Sequence, residues 1–265
     1  MPLPPDQQAR VEIDRLLTAA GWHVCGVSDA NIHAARGVAI REFPLAGGHG
    51  FADYLFYIYG KAAVVIEAKK SGVPLVGVER QSAKYTTGMP GHLPAWIRPL
   101  PFAYESTGVE TRFTNGLDPE PRSRGVFAFH SPEMLADWLA GLSPQGPVPS
   151  FSGVQDLART ETFLSRVRSM PPLVTEWGEH KLWPAQIVAI QNLEKSLAAG
   201  KPRALIQMAT GSGKTFTAIS FIYRLIKYAD VRRVLFLVDR GNLGRQAKKE
   251  FDQYVSPVNN FKFGE

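Results

Sequence analysis

The fold of the first half of this chain is decided by one apolar stretch, which reads Asp53-Tyr54-Leu55-Phe56-Tyr57-Ile58-Tyr59-Gly60-Lys61-Ala62-Ala63-Val64-Val65-Ile66-Glu67-Ala68-Lys69. Two runs rich in β-branched and aromatic residues flank a Gly-Lys pair, a pattern typical of a β-hairpin. The second run ends on an acid and an ammonium group two residues apart, and this spacing places Glu67 and Lys69 on one face of a strand. The stretch therefore predicts a hairpin with charged side chains at one end.

The register of this hairpin decides which way Asp53 points. A three-residue loop centred on Gly60 would place Asp53 directly opposite Glu67, on the same face. A two-residue loop at residues 60 and 61 would instead place it opposite Ala68 and turn it to the other face. The first register gathers two carboxylates and a lysine, which is the outline of a metal-dependent phosphodiester hydrolysis site. Solvated charges that blunt an edge strand are the alternative.

The composition is that of a water-soluble globular protein. The chain has 265 residues, of which 20% are charged, and its net charge of +6 suits a polyanionic partner. A single cysteine, Cys25, excludes an internal disulfide framework and a cysteine-based zinc site. No apolar run approaches the length of a membrane span and no signal peptide is recognisable, so we expect a cytoplasmic protein without a membrane partner.

A break in composition divides the chain. Residues 141–150 contain three prolines and two glycines and carry no charge, which indicates a domain boundary. We predict a first domain at residues 1–145, a linker with a bridging helix at 146–180, and the beginning of a second domain at 181–265. Further predicted elements are helices at 6–20, 75–87, 131–139 and 154–169, and strands at 22–27, 96–105 and 109–114.

Additional candidate site residues lie on two of the predicted helices. Gln81 and Tyr85 are four residues apart, so they share one helical face that could point towards the hairpin. Asp6 or Glu12 on the first helix could add a third acid to a metal site, although acids on a terminal helix usually face solvent.

The most specific motif lies in the second half of the chain. An apolar segment at 204–208, predicted to be a strand, runs into a glycine-rich turn, and a helix to about residue 228 follows. This context is that of a P-loop, in which backbone N–H groups surround the phosphates of a nucleotide. Lys214 would reach the β- and γ-phosphates and Thr215 would ligate Mg²⁺, although Met208 replaces the usual first glycine. The turn itself consists of Ala209, Thr210, Gly211, Ser212, Gly213, Lys214 and Thr215.

This turn resembles motif I of superfamily 2 helicases and translocases. Gln186, in a segment that begins at Leu182, resembles the glutamine of their Q-motif, which reads the adenine of ATP. The segment from Val234 onward resembles motif Ia, in which Arg240 and Arg245 would contact DNA phosphates. The acidic motif II of these motors is not found before Glu265. We therefore expect the N-terminal portion of a longer subunit, without ATP turnover of its own.

The hairpin, the Gln81/Tyr85 pair and the motor motifs together resemble the R (restriction, or motor) subunit of type I restriction enzymes. The resemblance implies an α/β fold: a restriction-endonuclease-like PD-(D/E)xK core, with a mixed sheet flanked by helices, followed by a partial RecA-like P-loop domain. It implies catalytic roles for Asp53, Glu67 and Lys69, and a supporting role in DNA cleavage for Gln81 and Tyr85. The proline of the PD element is alanine here.

The resemblance also implies a function. The full complex would cleave double-stranded DNA in a reaction coupled to ATP-driven translocation, with a methyltransferase subunit and a specificity subunit as partners. We expect Asp53 and Glu67 to coordinate Mg²⁺, with the carbonyl of Ala68 as a further ligand, and Lys69 to orient the attacking water. Two alternatives stay open: a nucleotide-binding regulator with structural hairpin acids, and a non-catalytic docking module of a restriction complex.

Overall fold

The computed structural model describes residues 4–75, 85–140, 161–239, 241–258 and 261–263. The chain divides into two compact units, Met1–Thr160 and Glu161–Glu265. The predicted linker at 146–180 lies partly outside the described residues, and its remainder, from Glu161 onward, belongs to the second unit. No helix in the described ranges is both long enough and apolar enough to cross a bilayer.

The first unit is built on one mixed β-sheet, which has seven strands within the described residues and keeps them in chain order. Neighbouring strands run antiparallel except in the β1–β2 and β4–β5 pairs, which are parallel. The predicted helices at 6–20 and 131–139 and the predicted hairpin are confirmed, whereas the strand predicted at 96–105 begins only at Phe102. The elements are α1 (Pro5–Ala19), β1 (His23–Cys25), β2 (Gly37–Pro44), β3 (Phe51–Ile58), β4 (Lys61–Ala68), β5 (Phe102–Ser106), β6 (Thr111–Asn115), β7 (Arg124–Val126) and α2 (Pro132–Ala140).

Both faces of this sheet are covered, because its central strands are apolar on both sides. On one face, Phe56 of β3 packs in a cluster with Ile13 of α1 and Leu135 of α2. On the other face, Leu55 belongs to a second cluster, against which the partly buried ring of Tyr85 packs. Glu67 follows Val65 of the second cluster by two residues and so shares its face, whereas the alternation of β3 is interrupted beside Asp53, because Ala52 and Leu55 both belong to that cluster.

The β3–β4 hairpin turns through two residues rather than three. Ile58 pairs with Lys61, and the two residues between them, Tyr59 and Gly60, have φ values of 48° and 76°. Positive φ at both central positions matches the right-handed twist of the strands, which favours this type of turn in two-residue hairpins. The predicted three-residue loop centred on Gly60 is therefore wrong.

A β-bulge at Ala63 restores the alignment that the longer loop would have produced. The bulge adds one residue to β4, and beyond it Tyr54 pairs with Ile66. Continuing this register sets Asp53 beside Glu67, and the backbone N–H of Ala68 donates a hydrogen bond to the carboxylate of Asp53. The expected neighbourhood of the two acids is thus reached by a short turn and a bulge.

In the second unit, the regular structure within the described residues is mainly helical. The helix α5 (Lys214–Ala229) buries Ile219 and Tyr223 against Tyr254, and partly buried phenylalanines complete this cluster. The bridging helix predicted at 154–169 is formed at its C-terminal end, and residues 141–160 lie outside the described residues. The elements are α3 (Phe163–Arg168), β8 (Glu176–Trp177), β9 (His180–Lys181), α4 (Pro184–Ala198), α5 (Lys214–Ala229) and α6 (Gly241–Asp252).

The strand predicted at 204–208 is not formed in the part of the chain that the structure describes, and residues 234–238 form no strand there either. Leu205 is 91% exposed and Leu235 is 81% exposed, so the described residues leave these apolar side chains largely uncovered. A strand exists through hydrogen bonds to a neighbouring strand, and an apolar pattern alone does not supply that neighbour.

Candidate active site

The end of the β3–β4 hairpin brings the two predicted carboxylates together. The backbone N–H of Ala68 donates a hydrogen bond of 2.8 Å to Oδ2 of Asp53, which holds this side chain against the end of β4. Burial, and to a smaller extent the charge of Asp53, raises the pKa of Glu67. The two acids are therefore close enough to interact electrostatically.

Glu67 is a buried carboxylate whose two oxygens have different surroundings. Nζ of Lys69 lies 2.5 Å from Oε1, whereas Oε2 is buried and has no hydrogen-bond partner within the described residues. Burial raises the pKa of Glu67, and the ammonium group of Lys69 and a hydrogen bond with Tyr85 partly offset that effect. Because an unpartnered buried acceptor is costly, Oε2 is a position where a hard cation would be stabilising.

We expect Glu67→Gln to raise the thermal stability of the metal-free chain at neutral pH. The folded-state pKa of Glu67 is raised, so the stability that its protonated form contributes is lost as the pH rises through that pKa. Removing the buried charge should gain about 1 kcal/mol, or roughly 2–4 °C in Tm. Thermal melts in EDTA check this, and the gain should shrink towards pH 4. The exposed Glu110→Gln is the control, and a lower Tm for Glu67→Gln would contradict the charge argument.

Lys69 and Tyr85 meet at the same carboxylate. Lys69 is placed by the end of β4, whereas Tyr85 arrives from a helical segment at 85–87 that precedes β5. Tyr85 forms a hydrogen bond with Glu67 that lowers the pKa of the acid. Gln81, which the sequence analysis pairs with Tyr85, lies outside the described residues.

Asp53 has two charged neighbours outside the predicted set of site residues, Arg10 and Glu42. Arg10 of α1 places Nη2 3.0 Å from Oδ1 of Asp53, and its Nη1 contacts the carboxylate of Glu42. A signal for Arg10 does exist in the sequence. It precedes Ile13 by three residues and Leu17 by seven, and both are buried, so Arg10 belongs to the helical stripe that faces the sheet.

Four acids lie side by side across the sheet at this level. Glu67 of β4 is in register with Glu105 of β5, and the pairing of β2 with β3 places Glu42 beside Asp53. Glu105 is fully buried and accepts a hydrogen bond of 3.1 Å from the hydroxyl of Ser123. Within this row Arg10 contacts Glu42 and Asp53 and Lys69 contacts Glu67, so protein cations offset much of its negative charge.

Of the two candidate third acids of α1, only Glu12 has a described side chain. Glu12 forms an ion pair with Arg15 on the same helix, at 2.5 Å, and the side chain of Asp6 lies outside the described residues. Among the residues that the structure describes, no group of three or more His, Cys, Asp or Glu is placed to hold a metal ion. A cation here would rely on Asp53, Glu67, backbone oxygen and water.

In the second unit, the glycine-rich turn leads directly into α5. Gly211 and Gly213 have φ values of 80° and 76°, a conformation that glycine adopts without a steric penalty. Nζ of Lys214 lies 3.0 Å from the carbonyl oxygen of Ala209, back across the turn. A lysine over a glycine-rich turn, at the N-terminus of a 16-residue helix, is typical of a phosphate-binding site. The other predicted residues, Thr210, Ser212 and Thr215, lie in the turn and the first turn of α5.

Gln186 connects α4 to this turn. Its Oε1 accepts a hydrogen bond of 2.8 Å from the backbone N–H of Trp183, and its Nε2 donates one of 3.4 Å to the carbonyl of Ser212. The predicted adenine-reading glutamine therefore lies beside the predicted phosphate-binding turn. Arg245 is on the exposed surface of α6, and Arg240 lies outside the described residues.

Comparison with known proteins gives one family match and several relatives. Residues 179–265 match the family model described as "Type III restriction enzyme, res subunit". The chain is 28% identical, over 295 aligned positions, to the endonuclease subunit of the type I restriction enzyme EcoKI of Escherichia coli (strain K12), covering 93% of this chain and 23% of that protein. It is 23% identical to the SauCOLORF180P endonuclease subunit of Staphylococcus aureus (strain COL), covering 77% of this chain and 21% of the relative.

One solved structure is similar to this chain: a fragment of an HsdR subunit of a type I restriction enzyme from Vibrio vulnificus. The two are 22% identical, with a TM-score of 0.40, and the match covers 88% of this chain and 40% of that chain. The relatives of this chain are thus endonuclease subunits of type I restriction enzymes, with a helicase-like match in the second unit. The chain spans about a quarter of the length of the curated relatives it matches.

Proposed function

We propose that the first unit is a Mg²⁺-dependent DNA endonuclease module, and that the chain belongs to the restriction subunit of a type I restriction enzyme. One observation carries the proposal: Asp53, Glu67 and Lys69 converge at the end of one hairpin, where an oxygen of Glu67 is buried without a partner. A mixed sheet flanked by helices, with its acids at strand ends, supports a PD-(D/E)xK core. The similarity to type I endonuclease subunits supports the same assignment.

The residues present fit a hard divalent cation. Asp53 and Glu67 supply carboxylate oxygens, the ligands that Mg²⁺ prefers, and the unpartnered Oε2 of Glu67 is the acceptor best placed to gain from one. When bound, Mg²⁺ would act as a Lewis acid towards the scissile phosphate and favour the ionisation of water. Such a role requires both acids to be ionised, and this becomes easier in the presence of the cation.

The remaining residues would bind and orient the reactants. Lys69 is partly exposed, so its ammonium group can donate hydrogen bonds to the attacking water and to a phosphate oxygen. Tyr85 restrains the carboxylate of Glu67 through its hydrogen bond. Gln81 would hold the DNA backbone. The substrate would be double-stranded DNA, and the net charge of +6 favours this polyanion.

The second unit would be the beginning of the motor. We assign ATP binding to the turn at 209–215 with Gln186, on the basis of the glycine conformations and the lysine over the turn. In the full-length subunit, ATP-driven translocation would accompany cleavage. The methyltransferase and specificity subunits of a type I complex are the proposed partners.

We expect Lys214→Ala to weaken nucleotide binding by the chain about 10- to 100-fold, because a charge-assisted hydrogen bond contributes about 1.5–3 kcal/mol. Titration with a fluorescent ATP analogue and Mg²⁺ measures this. Lys227→Ala, at the exposed end of the same helix, is the matched control. Equal affinities for the two variants would show that the turn does not hold the phosphates.

The test of the nuclease is cleavage of supercoiled plasmid by the chain with Mg²⁺ or Mn²⁺, compared with the same reaction in EDTA. We expect nicked and linear products only with the divalent cation, and their loss in Asp53→Asn. Mn²⁺ binding measured in parallel separates a nuclease from a docking module. A chain that neither cuts nor binds Mn²⁺ through Asp53 and Glu67 would favour the docking module.

A further inference from the structure

The carboxylate of Asp53 already forms an ion pair with a cationic side chain of the protein, that of Arg10. Nη2 of Arg10 lies 3.0 Å from Oδ1, while Oδ2 accepts the backbone N–H of Ala68. Each oxygen of Asp53 thus has a protein partner. A divalent cation on Oδ1 would lie close to the guanidinium group, and two positive groups on one oxygen repel each other.

The packing of α1 against the sheet places Arg10 at this position. The hydroxyl of Tyr54 donates a hydrogen bond of 2.8 Å to Asp14 of α1, and Arg41 forms an ion pair with the same acid at 2.9 Å. These contacts anchor α1 to β2 and β3 one turn away from Arg10. The backbone of Arg10 is therefore held near the strand ends even when the contacts of its guanidinium group change.

Arg10 also has a second partner outside the metal-binding pair. Its Nη1 contacts Glu42, whose side chain is 64% exposed, compared with 21% for Asp53. Glu42 has a φ of 50°, a conformation that non-glycine residues seldom adopt and that is kept only where the surrounding structure imposes it. The guanidinium group can therefore release Asp53 and remain paired with Glu42.

We propose that Arg10 is an internal counter-ion that competes with the divalent cation for Asp53, and that Glu42 is the partner which holds it when the cation binds. This inference rests on the proposed nuclease site. Arg10 is a positioning residue here and Glu42 acts only through it. The hydrogen bond from Ala68 keeps the carboxylate of Asp53 oriented after Arg10 leaves.

The test is Mn²⁺ binding to the whole 265-residue chain without nucleotide, measured by the loss of the electron paramagnetic resonance signal of free Mn²⁺. Arg10→Gln removes a positive charge beside the cation, and we expect binding about tenfold tighter than in the wild type. Glu42→Gln leaves Arg10 with Asp53 as its main partner, and we expect binding about threefold weaker. Asp53→Asn defines the background from other sites.

The double variant Arg10→Gln/Glu42→Gln distinguishes competition from simple charge effects. If Glu42 acts only through Arg10, the double variant binds Mn²⁺ as tightly as Arg10→Gln alone. A Glu42 effect that persists without Arg10 would overturn the proposal. Weaker binding in Arg10→Gln, with an unchanged Tm, would overturn it as well.

Failure of the proposed function gives a different result from failure of this inference. If the wild type and Arg10→Gln both show no Mn²⁺ binding that depends on Asp53 and Glu67, the nuclease site and the counter-ion are both refuted. If the wild type binds Mn²⁺ at these acids while Arg10→Gln and Glu42→Gln leave the affinity unchanged, only the counter-ion is refuted. The exposed side chain of Glu42 makes its variant a safe test even if Arg10→Gln folds poorly.

Discussion

Glu67→Gln should abolish Mg²⁺-dependent cleavage of supercoiled plasmid by this chain, with the rate falling on the order of a thousandfold or more. The loss of a cation that stabilises charge on a scissile phosphate removes several kcal/mol from transition-state binding, and about 1.4 kcal/mol corresponds to tenfold in rate. Oε2 of Glu67 is the oxygen best placed to bind that cation, because it is buried and has no other partner within the described residues. Glutamine has nearly the same shape and no charge.

Stability separates this loss from misfolding. Burial raises the pKa of Glu67, so the variant should melt above the wild type in EDTA while it fails to cut. Added Mn²⁺ should raise the Tm of the wild type and leave that of the variant unchanged. Glu110→Gln, which removes an exposed acid in the loop between β5 and β6, should cut like the wild type.

Lys69→Met should lose cleavage without losing the cation. Nζ of Lys69 is 2.5 Å from Oε1 of Glu67, so its removal takes a positive charge away from the proposed metal site. We expect cleavage to fall about a hundredfold or more, as for loss of one preorganised donor, with Mn²⁺ affinity equal to or higher than that of the wild type. Cleavage that survives both Glu67→Gln and Lys69→Met would place the chemistry elsewhere.

The neighbourhood of Asp53 and Glu67 could be predicted from the sequence, but the way in which the chain achieves it could not. Both strands are apolar on both faces, so hydrophobicity alone does not fix the register, although a slip by one residue would exchange the two faces of the sheet. The β-bulge in β4 leaves no signal in the sequence either. Ala62 and Ala63 are adjacent, small and both buried, so nothing in their chemistry marks one as the extra residue.

The contacts of Arg10 could not be predicted from the sequence, for a different reason. Arg10 and Glu42 are 32 residues apart in the chain, and Arg10 and Asp53 are 43 apart. Helical periodicity places Arg10 on the face that meets the sheet, but the strand that it reaches depends on how α1 docks. That docking is set by long-range contacts such as Tyr54 with Asp14, which no local pattern encodes.

The second unit was predicted well where structure is local and poorly where it is not. The helix after the glycine-rich turn begins at Lys214, as the P-loop context predicts, because the glycines and the helix are neighbours in the chain. Residues 204–208 and 234–238 have the composition of strands, but strands require hydrogen-bonded partners. Their side chains remain largely exposed in the part of the chain described.

Gly37→Ala should strongly destabilise the first unit, although Gly37 contacts none of the proposed site residues within 4 Å of its added Cβ atom. A Cβ atom at Gly37 would lie 2.2 Å from Cγ of Pro132 and 2.8 Å from Cε3 of Trp22. Neither neighbour can move easily, because Pro132 is the first residue of α2 and the indole N–H of Trp22 donates a hydrogen bond of 2.9 Å to the carbonyl of His130. We expect a loss of about 3 kcal/mol or more, or roughly 10 °C in Tm.

Gly125→Ala is the matched control, since it also lies in a strand of the same sheet but has open space where the new methyl group would be. It should melt at or slightly above the wild-type temperature, because alanine restricts the unfolded chain more than glycine does. Near-ultraviolet circular dichroism follows the packing of Trp22, and Mn²⁺ binding follows the site. The strand β2, which begins at Gly37, pairs with β3, which holds Asp53. Loss of the packing at Gly37 should therefore remove Mn²⁺ binding at the temperature at which the first unit melts. Equal melting temperatures for Gly37→Ala and Gly125→Ala would mean that α2 shifts freely on the sheet. The burial of Leu135 and Leu139 of α2 argues against such a shift.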